Sequence, residues 1–188
     1  VAVPENISTQ AGCARLAAAV GEHTDQLDVL VNNAGATWGA DIAEYPDSAW
    51  DKVLSVNLKG PFHLTVACLP ALRAAATQER PARVINIGSV DGMHVPMWES
   101  YAYSSSKAAL HQLTRHVAKR LAKEHITVNA IAPGVFPSRM MKFAFDSVED
   151  ELIAATPLGR TGQPDDAAGA AIFLASPAAS WITGAVLP

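Results

Sequence analysis

Cysteine, charge and unbroken apolar runs are all scarce in this chain of 188 residues. The two cysteines, Cys13 and Cys68, have neither metal-ligand spacing nor the pattern of a disulfide framework. Reduced, buried thiols are expected, and with them a cytoplasmic setting. Charged residues are only 17% of the chain and sum to a formal −4, with a pI near 5.8. That leaves no basic stripe for a nucleic-acid backbone. The most apolar stretch, Ala167 to Pro188, is interrupted by Gly169, Ser176, Pro177, Ser180 and Gly184, so it is a poor membrane span. No secretory leader heads the chain, and a soluble protein is expected. No G-x-G-x-x-G turn or related glycine-rich phosphate loop occurs in it. His94, His111 and His116 stand without a carboxylate or cysteine pattern, so packing or surface roles are expected of them and no metal site.

What is present is apolar substance in alternating patterns. Hydrophobic residues make up 49% of the chain, enough for one well-buried domain over residues 1–188. Leu27 to Val31 reads as a short strand ending in the turn Asn32-Asn33-Ala34-Gly35. Arg83 to Ile87 and Ile126 to Ile131 are further strands, the last closed by Pro133-Gly134. Between them run helical periods: Asp47 to Ala76, with Val53, Leu64 and Leu72 among its core positions, and Tyr103 to Glu124. Pro61 and Pro70 are placed to start or bend turns in the first of these. Asp165 to Ala175 reads as a packed helix, and Val1-Ala-Val-Pro opens the chain like a strand. Strands alternating with long helices imply an α/β layered fold with a parallel sheet. Arg139 to Arg160 has no strand period and brings Met140, Met141, Phe143 and Phe145 beside a cluster of acids. A flap over a pocket and a plain surface helix both fit it.

The most informative spacing is Tyr103-Ser-Ser-Ser-Lys107. Residues four apart in a helix share a face. An ammonium fixed beside a phenol favours the phenolate and draws the tyrosine pKa down from about 10. Ser89 ends the run Val84-Ile-Asn-Ile-Gly-Ser, a buried strand followed by a tight turn. A hydroxyl at a strand's carboxyl end, facing a tyrosine–lysine helix, can bind a carbonyl oxygen while the tyrosine protonates it. Alone, the pair favours an ordinary amphipathic helix.

The remaining motifs decide between the two. Asn32-Asn-Ala-Gly35, Asn57 in Val56-Asn-Leu-Lys-Gly, Ser89, Tyr103-x-x-x-Lys107 and Pro133-Gly134 followed by Ser138 stand in one order across nearly the whole chain. In that order the sequence resembles the short-chain dehydrogenase/reductase family of the compact, single-domain type. Arg83-Val-Ile-Asn-Ile-Gly-Ser-Val, Ser106-Lys-Ala-Ala-Leu-His-Gln-Leu and Ala132-Pro-Gly-Val-Phe-Pro-Ser-Arg-Met bring it nearest to bacterial 3-oxoacyl-[acyl-carrier-protein] reductases, including the type associated with rhamnolipid biosynthesis.

The resemblance implies a Rossmann-type doubly wound parallel sheet and an NADP(H)-dependent carbonyl reductase, with NAD(H) not excluded. It gives Tyr103 the role of general acid, and makes Lys107 the group that lowers its pKa and holds the nicotinamide ribose. Ser89 holds the substrate oxygen, and Asn57 either anchors a proton-relay water or bonds backbone at a helix kink. Asn6 and Ile7 fall beside the adenine, and Asn32, Ala34 and Gly35 line the adenosine side. Pro133, Gly134, Phe136 and Ser138 lie at the carboxamide. Trp98 and Met140 are candidate substrate contacts beside Ser89 and Tyr103, with core packing the alternative for Trp98. Family members begin with two βα units that grip the pyrophosphate and choose between cofactors. Neither those units nor the family's last segment is in these 188 residues, so a truncated fold with weak cofactor affinity is expected of them alone. The implied substrate is a small carbonyl compound or an acyl thioester. Other ketones or alcohols, and a non-catalytic dinucleotide fold, are the alternatives. Pairing of the long helices into a homodimer or homotetramer is the implied assembly.

Overall fold

The computed structural model describes residues 1–137 and 142–188, and the side chains of all of these except residues 142–147. Ser138 and Met140 therefore lie outside the described residues, as do Met141 and the side chains of Phe143 and Phe145.

The apolar runs form four parallel strands: β1 (Val29–Asn32), β2 (Ala82–Ile87), β3 (Ile126–Ile131) and β4 (Val186–Leu187). They lie side by side in chain order, with Leu30 opposite Val84 and Val84 opposite Val128. β2 and β3 are buried on both faces, which is why they read as continuous apolar runs. Successive side chains alternate across the sheet. Val84 and Val128 pack in one core with Leu64, Cys68, Leu72, Ala118 and Leu121. Ile85 and Ile131 pack on the other face with Leu174 and Ala179.

The first face is covered by helices α1 (Gln10–Gly21), α3 (Gly60–Ala75) and α4 (Tyr101–Leu121), the second by α6 (Pro164–Ala175). This is the layered α/β arrangement of a Rossmann-like fold. Cys13 and Cys68 are both free and buried in the first core. Among the described residues no helix is long and apolar enough to cross a membrane.

Two expectations needed correction. The helix over Asp47 to Ala76 is broken: α2 (Asp47–Leu54) passes into one π turn, Ser55–Lys59, before α3 begins. A π turn inserts a residue into the helical ladder, and such turns concentrate at functional sites. Val1–Pro4 is not a strand, because no described strand lies beside it to supply backbone partners. The stretch from Lys142 to Ala155 is helical (α5), with a break at Val148.

Two local details frame β3, one before it and one beyond it. α4 passes through a three-residue 3-10 turn to His125, whose left-handed φ of 56° swings the chain into β3. Beyond β3, the Gly162 amide donates to the Val135 carbonyl at 2.9 Å. The Phe136 ring fills the space where a side chain on Gly162 would stand.

Candidate active site

The carboxyl ends of parallel strands are where ligands bind in open α/β sheets, and the predicted residues converge there. β2 runs into Gly88 and Ser89, and Ser89 caps a short 3-10 turn, Val90–Gly92. Its Oγ accepts the Asp91 amide proton at 3.1 Å. That bond orients the hydroxyl and leaves its own proton free to donate. α4 packs against this turn and against β3, so the face carrying Tyr103 and Lys107 meets the end of β2.

Lys107 is only 4% exposed. Its Nζ donates to the Ile87 carbonyl at 2.7 Å and lies 5.5 Å from the centre of the Tyr103 ring. Burial pushes its pKa from 10.5 down to about 8. Tyr103 is half-buried, and its phenol is displaced upward. Burial is the largest cause and the Asp91 charge adds to it, while the Ser89 hydroxyl pulls the other way. The spacing in the sequence predicts depression by Lys107. In the structure burial raises the phenol's pKa instead, and the ammonium donates to a backbone carbonyl.

Asn57 sits in the π turn and is fully buried. Its Oδ1 accepts from the Ala36 amide at 2.8 Å, and its Nδ2 donates to the Ala36 carbonyl at 2.9 Å and to Ser106 Oγ at 3.0 Å. Ser106 in turn donates to the Tyr103 carbonyl at 2.7 Å. One side chain thus ties the loop after β1 to the turn of α4 that bears the tyrosine. With its amide spent this way, Asn57 can anchor a relay water only through its main chain.

The other expected residues separate into two groups. Ala34, Gly35 and Gly134 are exposed at the strand ends, and nothing stands within 4 Å of a Cβ built on Gly134. Pro133 holds the site from below, its carbonyl accepting the Val90 amide at 3.1 Å. Trp98 is half-buried in the segment leading to α4. Asn32, by contrast, is buried and donates to Asn86 Oδ1 at 2.8 Å and Thr65 Oγ1 at 3.2 Å. It links β1 to β2 and α3 beneath the site. Asn6 accepts from the amide and hydroxyl of Ser8, forming the turn that starts α1, and Ile7 packs on the first core. Phe136 lies on Gly162.

Sequence reasoning missed Ser106, Asp91 and the Ile87 carbonyl. Ser106 had a usable signal, standing three residues after Tyr103 and beside Lys107 in one helix. The carbonyl has no sequence signal at all.

A dinucleotide's nicotinamide ribose offers a pair of hydroxyls. Lys107 has three N–H donors, and the Ile87 carbonyl is its one acceptor among the described residues. Together with the Tyr103 hydroxyl and the open space at Gly134, the donor set fits that group. Among the described residues no cluster of His, Cys, Asp or Glu is arranged to hold a metal ion.

Comparison with known proteins points the same way. The family described as "Enoyl-(Acyl carrier protein) reductase" matches residues 1–188. The rhamnolipids biosynthesis 3-oxoacyl-[acyl-carrier-protein] reductase of Pseudomonas aeruginosa is 49% identical, over 100% of this chain and 74% of its own length. Galactitol 2-dehydrogenase (L-tagatose-forming) of Cereibacter sphaeroides is 38% identical, over 95% of this chain and 70% of its own length. The Pseudomonas aeruginosa RhlG/NADP active-site complex superposes with a TM-score of 0.95 at 48% identity, covering 99% of this chain and 73% of that one. The chain belongs to the short-chain dehydrogenase/reductase family of enzymes.

Proposed function

We propose that the protein reduces a ketone with NADP(H), that the substrate is a 3-oxoacyl thioester, and that Tyr103 is the general acid. The observation carrying this is the convergence of Ser89, Tyr103 and a buried Lys107 with unspent donors at the end of β2. The likeness to a 3-oxoacyl-[acyl-carrier-protein] reductase and to an NADP complex supports the substrate and cofactor.

The reduced nicotinamide supplies the hydride. Each remaining task falls to the chain's own residues. Lys107, Tyr103, Pro133 and the open positions Ala34, Gly35 and Gly134 hold the cofactor, with Lys107 on the ribose. Ser89 donates its free proton to the substrate oxygen and stabilises the charge that gathers there. Tyr103, whose displaced pKa keeps it protonated at neutral pH, delivers a proton to the same oxygen. Lys107 then stabilises the phenolate. Asn57 and Ser106 fix the turn that aims Tyr103.

The protein acts as a homodimer or homotetramer in this reading. α3 and α4 leave between them an apolar groove lined by Phe62, Val66, Leu69, Leu113 and Val117. Phe62 and Val66 are exposed. A second copy presenting the same helix pair would cover these apolar side chains.

The test is oxidation of NADPH, with NADH in parallel, by the protein given an acetoacetyl thioester. The Tyr103→Phe variant should lose on the order of 10²-fold or more, the scale of general-acid catalysis. Equal rates with and without the phenol would refute the mechanism, and turnover of a polyol in place of the thioester would refute the substrate.

A further inference from the structure

Tyr103, Lys107 and His111 are spaced four apart in α4 and so share one face. The first two belong to the site, and the third lies directly beneath them. His111 is only 3% exposed, and its Nε2 is buried without a partner. A buried polar atom left unpaired is costly, so a ring placed there does something that an aliphatic side chain would not.

Its neighbours show what. A Cβ on Gly88 would collide with His111 Nε2, and one on Gly92 would stand 3.0 Å from His111 Cε1. The imidazole occupies the side-chain space of Gly88, just before Ser89, and borders that of Gly92, where the α4 backbone at Lys107 and Ala108 stands closer still. The Gly88 amide is itself fixed by the Ile131 carbonyl at 2.6 Å, and the carbonyl of the preceding Ile87 is the acceptor for Lys107.

We propose that His111 is a positioning residue, a neutral imidazole wedge that sets the turn carrying the Ile87 carbonyl and the Ser89 hydroxyl against the Tyr103–Lys107 face. This rests on the reading of Tyr103 as general acid. The wedge works only while uncharged, because a proton on the ring would place a second buried cation next to Lys107. Burial holds the ring below its ordinary pKa, and Arg115 and Lys107, on its own helix, push the same way; a backbone contact at Gly92 opposes them. From the 3-10 turn, Asp91 is the one carboxylate near this face. β3 presents no ionisable side chain, and the charges of α2 and the π turn, Asp47, Asp51, Lys52 and Lys59, are all exposed.

The experiment compares wild type with His111→Ala, His111→Gln and Tyr103→Phe, in thioester-dependent NADPH oxidation across pH and in NMR titration of ring-labelled histidine. We expect His111→Ala to lower kcat at least tenfold with the thioester KM changed less than threefold. His111→Gln, which keeps a polar atom near the Nε2 position, should recover most of kcat and flatten the acid limb of the wild-type profile. One of the six histidines should titrate well below about 6.5, and its signal should vanish in His111→Gln. If His111→Ala does not fold, the acid limb of His111→Gln decides. An acid limb coinciding with that of wild type overturns the proposal, as does an imidazole titrating at or above 6.5. Should Tyr103→Phe be inactive while both His111 variants match wild type, the wedge alone fails. Should Tyr103→Phe be fully active, the general-acid reading fails and takes the wedge with it.

Discussion

Lys107 makes a quantitative demand on stability. Its ammonium is almost fully buried and its pKa falls from 10.5 to about 8. At 1.36 kcal/mol per unit, keeping it charged costs the folded state about 3 kcal/mol at pH 7. The sign comes from proton counting. Between pH 8 and 10.5 the unfolded chain holds the proton more firmly, so stability rises with pH across that window. The penalty is full below it and absent above it. Replacing Lys107 by Met removes the titration and leaves the Ile87 carbonyl unpaired, which costs about 1–3 kcal/mol at any pH. The difference in unfolding free energy between Lys107→Met and wild type should therefore fall by about 2 kcal/mol between pH 7 and pH 9.5. His111, the group that feels Lys107, titrates below this window, and groups away from Lys107 cancel in that difference. Urea melts of both proteins at half-unit pH intervals measure it. A difference independent of pH would show that Lys107 is not buried as a charge, and would refute the account of how it is held. At pH 7 the variant should be about as stable as wild type or more so, although catalytically dead.

Two other outcomes rest on named contacts. Asn57→Ala strands the Ala36 amide and carbonyl and removes the donor to Ser106 Oγ, and should cost on the order of 3 kcal/mol in denaturant melts. A loss below about 1 kcal/mol would mean that the tie from the β1 loop to α4 is replaceable by water. Val66→Asp puts a charge into the apolar groove between α3 and α4 and should shift the protein toward monomer in sedimentation velocity. An unchanged sedimentation coefficient would place the assembly surface elsewhere.

Much of the site is legible in the sequence because its chemistry depends on residue type at fixed spacing. Tyr103 and Lys107 share a helix face by arithmetic, and Ser89 comes after a strand whose apolar run is unmistakable. β3 is legible to its very bounds for the same reason, being buried along its whole length. What escapes is set by tertiary context. The π turn at Ser55–Lys59 breaks an otherwise good helical period, because Asn57 takes its bonds from a loop distant in sequence. Spacing places Lys107 beside Tyr103 but cannot show that the packed site buries the phenol, so the direction of the tyrosine's pKa comes out reversed. Asn32 looks like a cofactor contact by its place in a turn. Its amide instead faces inward, to Asn86 and Thr65, as only the packed sheet reveals.

The contact between Phe136 and Gly162 has a bearing on how such an enzyme can change its diet. The ring fills the glycine's missing side chain, and the Val135–Gly162 bond lies next to it. The clasp thus fixes the point after β3 from which the chain departs and the point before α6 to which it returns, so the segment between those points can be exchanged with both ends held. Transplanting the corresponding segment from a relative with another substrate, while keeping Phe136 and Gly162, should transfer preference without unsettling the sheet.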